Sequence, residues 1–71
     1  MTRDEHMKWC KERALQYIDD GDIQNGITSM LSDLSKHPET KAVGENMAPL
    51  GMLEIMSGSV DSARRFVTGF N

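Results

Sequence analysis

Two short strings, Gly21-Asp22 and Gly58-Ser59, set the limits on what this chain can build. In each, a glycine is followed at once by a residue whose side chain can cap a helix. Glycine takes the left-handed backbone that ends one helix, and Asp or Ser accepts hydrogen bonds from the first amides of the next. The strings therefore read as tight helix-to-helix turns. They stand 37 residues apart in a chain of 71, so each serves its own hairpin.

The stretches around them carry helical periodicity. Thr2 and Glu5 form a capping-box pattern, and Met7, Cys10, Ala14, Tyr17 and Ile18 follow at helical spacing. This predicts a first helix from about Arg3 to Asp19. Asp22 then caps a second, whose stripe is Ile23, Ile27, Met30, Leu31 and Leu34. Pro38 should end it, because the residue before proline disfavours helix. "HPETKAVGE" is the most polar connection and reads as a loop. A third helix is expected from about Asn46 to Ser57, with Pro49 in its first turn, where a missing N–H costs nothing. Ser59 caps a fourth, with Val60, Ala63, Phe66, Val67 and Phe70 as its stripe. No segment alternates with period two for long enough to be a strand. The expected fold is all-α: four helices in two helix-turn-helix hairpins. The expected domain is single, 1–71, with hairpin one over about 3–37, a loop over 38–45 and hairpin two over about 46–70.

A chain this short buries only about 60% of its unfolded surface, so self-association or a partner is an early expectation. With 38% hydrophobic and 27% charged residues it is built to fold. A net charge of −3 argues against a nucleic-acid binder, which needs a basic face. The one cysteine, Cys10, rules out an internal disulfide and fits a reducing compartment. No apolar run reaches the roughly 18 to 20 residues of a membrane span. The opening "MTRDEHMKW" has no apolar signal core, and the expected home is the cytoplasm.

Shifted by 37 residues, Ala14, Ile18, Gly21, Ile23, Gly26 and Met30 fall on Gly51, Ile55, Gly58, Val60, Ala63 and Val67. Small residues meet small ones, and apolar meet apolar. In each unit a small residue stands where two helices would cross closely. The pattern resembles the tetratricopeptide repeat, carried by Ala14, Tyr17, Gly21-Asp22, Gly26, Met30 and Pro38, then Leu50-Gly51, Gly58, Ala63 and Val67. Cys10 and Met47 stand at that family's tryptophan position, Asp33 and Phe70 at its second small position, and Glu54 replaces the second tyrosine. A generic four-helix bundle meets the same packing rules. The whole string also looks like small proteins of tailed bacteriophages, through "TRDEH-x-x-W", "SML-SDL-KHPET" and "RRF-x-x-GF".

The aspartates of "YIDDGDIQNG" invite a calcium reading, which needs glycine at the sixth place of the loop and glutamate at the twelfth. Counted from Asp20 those places hold Asn25 and Leu31; counted from Asp19, Gly21 falls at a ligand position. The stretch reads as a capped turn. His6 and Cys10 share a helix face, but zinc wants three or four ligands. Cys10 is expected in the core or at its boundary, His6 on the surface, and His37 at the end of helix 2. No nucleophile–base pattern, GxSxG, Walker A, GxGxxG or HExxH appears, so no enzyme and no cofactor is expected. A helix-turn-helix DNA regulator is the low alternative: helix 2 offers only Lys36, and its expected wet side carries Asp33, Thr28 and Ser32.

Two hairpins are an incomplete solenoid. The tetratricopeptide resemblance implies a concave side built from Lys8, Lys11, Leu15, Ile18 and Asp19 of helix 1 and Glu45, Ala48, Met52, Ile55 and Met56 of helix 3. Six of these ten are apolar, and methionines adapt to differently shaped partners. The basic pair Arg64 and Arg65 is a further candidate contact, and Phe66 with Phe70 a candidate oligomer contact. The expected role is a small protein–protein interaction module. The phage resemblance implies a host protein, such as one of a defence system, that it binds and modulates or inhibits. A self-assembling structural protein is the alternative.

Overall fold

The structure is a computed structural model that describes residues 2–70. Four helices follow one another: α1 (Arg3–Asp19), α2 (Ile23–Leu34), α3 (Pro38–Ser57) and α4 (Val60–Thr68), with no strand among the described residues.

The helix ends obey local chemistry. Thr2 Oγ1 accepts from the Glu5 amide at 3.2 Å and the Glu5 carboxylate accepts from the Thr2 amide at 3.1 Å, so the capping box is closed. Gly21 ends the first helix at φ +84°, and Asp22 starts the second by accepting from the Asn25 amide at 3.2 Å. Gly58 repeats the device at φ +67°, and Ser59 accepts from the Ser62 amide at 3.2 Å.

The connection between α2 and α3 departs from expectation. The predicted loop at 38–45 is helix, and Pro38 begins α3 rather than merely ending α2. Proline suits the first position of a helix, where its missing N–H has no partner to lose. His37 is the N-cap, with Nδ1 accepting from the Glu39 amide at 3.1 Å. Its role is thus at the start of α3, not at the C-terminus of α2. The buried Thr40 hydroxyl donates to the Leu34 carbonyl at 2.6 Å and staples the two helices at a three-residue turn. Pro49 consequently lies inside α3, not in its first turn.

Core residues come from α1, α2, α4 and the segment just after it: Met7, Cys10, Ala14, Ile18, Ile27, Met30, Leu34, Ala63, Val67 and Phe70. Tyr17 and Val60, expected on the apolar stripes, are exposed instead. At Gly26 the hairpin closes tightly. A Cβ there would lie 2.5 Å from Ile18 Cγ1 and 3.0 Å from the Ala14 carbonyl oxygen. Helix α3 sits on α2 differently, through Thr40, Gly44 and Gly51 as its buried residues. A Cβ at Gly51 would lie 3.0 Å from Ile27 Cγ2, so the α3 backbone itself presses on α2. Helix α4 packs more on α1 than on α3, while α1 and α3 scarcely touch. At about 1.5 Å per residue, the 20 residues of α3 span nearly the whole 31 Å long axis.

Candidate interaction surface

One side of α1 and the end of α4 enclose an open groove of about 390 Å³. Met7, Leu15 and Phe70 supply its apolar surface, and Lys8, Lys11 and Glu12 are among its charged rim. Helical spacing puts the α1 members on one side. Phe70 follows directly on the last turn of α4, where its amide donates to the Val67 carbonyl at 3.4 Å. Lys11 Nζ donates to the Thr68 carbonyl at 3.1 Å. A cation at those carbonyls suits the negative end of α4 and ties it to α1. The Phe66 ring meets Phe70 edge to face, with centroids 5.1 Å apart.

The groove thus brings together Lys8, Lys11, Leu15 and Phe70 from the predicted set. Other members lie elsewhere. Ile18 is fully buried against Gly26 and is a core residue, not a partner contact. Phe70 is only 4% exposed, so its main role is to close the core rather than to meet a second chain. Phe66 and Ile55 are half-buried against the core, as is Leu15. Arg64 pairs with Asp19, joining α4 to the end of α1, while Arg65 is exposed beside Asp61 and Thr68. Met52 and Met56 are exposed on α3. The expected single concave side is therefore divided, because α1 and α3 have so little contact.

On α3, Leu50, Met52, Leu53 and Met56 are 47%, 59%, 60% and 80% exposed. Leu50 and Leu53 were absent from the expected set, although the sequence "MAPLGMLEIM" is apolar on every side of a helix. That pattern is the signal that would have found them, since such a helix needs cover all round.

A second feature escaped the sequence. Asp33, expected on the wet side of α2, is 2% exposed. Arg13 Nε lies 2.9 Å and Lys36 Nζ 3.0 Å from its two carboxylate oxygens, and the Ser29 hydroxyl adds a longer contact at 3.4 Å. His6, expected on the surface, is also buried; Nε2 donates to the Asp33 carbonyl at 2.8 Å, which requires the proton on that nitrogen. The Trp9 ring packs against His6, and Arg13 lies 4.8 Å from its centroid. These contacts lock α1 to α2. Beside them Cys10 is fully buried, and burial, with the Asp33 charge adding to it, pushes its thiol up to about 11. Two acids around the Gly21 turn are engaged: Asp19 by Arg64 of α4, and Asp22 by the Asn25 amide and side chain.

No helix among the described residues is long and apolar enough to cross a membrane. Compared with known proteins, the chain matches no family model, no curated relative and no solved structure.

Proposed function

We propose that this chain is a small protein–protein interaction module that takes an apolar segment of a partner protein into the groove between α1 and the end of α4. The observation that carries the proposal is the groove itself, where half-buried Leu15, beside the core residues Met7 and Phe70, is set within a rim that includes Lys8, Lys11 and Glu12. An apolar surface supplies affinity, and a rim of both signs supplies register and choice of partner. The resemblance to small proteins of tailed bacteriophages favours a host protein as that partner, with modulation or inhibition as the outcome. The tetratricopeptide resemblance supports an interaction role through the small-residue crossing of Ala14 and Gly26, the kind of helix contact that family uses.

The test is capture from host lysate by the parent protein and by two groove variants, Lys8→Glu and Leu15→Glu, each first checked for helical content. The parent should return one stoichiometric partner, and both folded variants should lose it. A partner retained equally by both variants would place the contact elsewhere. The DNA alternative has less support, because Lys36, the basic residue of helix 2 on which it would draw, is engaged with Asp33.

A further inference from the structure

We infer that the outer face of α3 is the contact surface for a second copy of this chain, paired about a two-fold axis with the two α3 helices antiparallel. Three observations converge on it. The first is concentration: of the six large hydrophobic side chains exposed among the described residues, Leu50, Met52, Leu53 and Met56 lie on α3, and Val60 follows just after it. These side chains are not needed where they stand, since α3 meets α2 through Thr40, Gly44 and Gly51. The helix is covered on one side only, though its sequence from Met47 to Met56 is apolar all round.

The second observation is charge. Between Asn46 and Ser57 the only ionisable residue is Glu54, and its carboxylate accepts from the Ser62 hydroxyl of α4 at 2.6 Å. The outward face is therefore neutral as well as greasy. A neutral stripe complements its own copy, because a two-fold axis sets each patch against the same patch with no like charges opposed. Exposed charges begin at the two ends, with Lys41 and Glu45 before the stripe and Asp61 after it. Antiparallel pairing opposes the two helix dipoles, whereas parallel pairing would align them.

The third is area. With Leu50, Met52, Leu53 and Met56 between 47% and 80% exposed, the stripe offers on the order of 500 Å². Two of them bury about 1,000 Å², the lower bound for a specific interface. The pairing is thus a reversible dimer whose population follows concentration. It uses a different face from the groove between α1 and α4 and does not depend on it.

Analytical ultracentrifugation of the purified chain from micromolar to millimolar concentration tests this. The weight-average mass should rise from that of one chain toward that of two and stop there. Met56→Glu and Leu53→Glu, at exposed positions, should keep the parent's helical content and weaken association at least tenfold. Lys8→Glu, in the groove, should associate like the parent. A parent that stays monomeric throughout, growth beyond two chains, undiminished association of both stripe variants, or loss of association in Lys8→Glu would each overturn the inference.

Discussion

Arg13 of α1 reaches across to Asp33 of α2, with Nε 2.9 Å from a carboxylate that is almost wholly buried. The pair is asymmetric: the Arg13 side chain is about half exposed, while that of Asp33 is only 2% exposed. Removing the arginine leaves a buried carboxylate with Lys36 and Ser29 as its side-chain partners. Arg13→Ala should therefore cost about 1–3 kcal/mol, less than for a fully buried pair because Arg13 sits at the surface. Replacing both, as Arg13→Ala with Asp33→Leu, should recover most of the loss, since the uncompensated charge goes too. Urea unfolding of the three proteins checks this; a double variant no better than the single would show that the carboxylate itself holds the helices together.

Gly26 tests the closeness of the α1–α2 crossing. An alanine gains about 1 kcal/mol of helix propensity. Against it stands a Cβ 2.5 Å from Ile18 Cγ1 and 3.0 Å from a main-chain oxygen. The Ile18 side chain can rotate, but the Ala14 carbonyl is fixed in α1. Gly26→Ala should lose about 1–2 kcal/mol net, and Gly26→Leu 3 kcal/mol or more. Thermal melts decide; an alanine variant that melts higher than the parent would mean that the crossing is looser than described.

Pro49 should respond in the opposite direction. It removes the N–H that would bond the Glu45 carbonyl in the middle of α3. Interior proline costs a helix about 3 kcal/mol, while the unfolded chain regains about 1 kcal/mol of entropy when it is replaced. Pro49→Ala is expected to stabilise by about 1–2 kcal/mol. The stripe variant Met56→Glu is a suitable background for the denaturant titration, because it separates helix stability from self-association. A midpoint that fails to rise would show that the helix has already adapted to the missing bond.

Cys10 predicts a loss of stability in alkali. Its folded thiol titrates at about 11 against an ordinary 9.0. Between those values the unfolded chain has released a proton that the folded chain still holds. The contribution is complete below pH 9 and is lost as pH rises toward 11. The stability difference between the parent and Cys10→Ala should therefore shrink across that window, with other groups cancelling in the comparison. A thiol reagent at neutral pH should modify the folded parent far more slowly than the unfolded chain. Equal rates would mean that the thiol is open to solvent.

Much of the architecture was legible along the chain because it is local. A left-handed glycine, a capping side chain and a stripe at helical spacing act within a few residues. The Thr2–Glu5 box, the turns at Gly21 and Gly58, and the caps at Asp22 and Ser59 needed no knowledge of the rest of the fold. The close crossing of Ala14 with Gly26 was legible too, through the matching of small residues between the two halves.

Packing between distant segments decided the remainder. "HPETKAVGE" is polar enough for a loop, yet it is helical because Thr40 and Gly44 have α2 to lean on. Asp33 looked like a surface acid, although the repeat comparison had placed it where a small core residue belongs. Only a fold that carries Arg13 to it can bury that charge. Ile18 and Met56 are both apolar residues on helical stripes. One is sealed beneath Gly26 and the other stands in water, because burial depends on which helix arrives opposite, and helical periodicity marks a face without naming its neighbour.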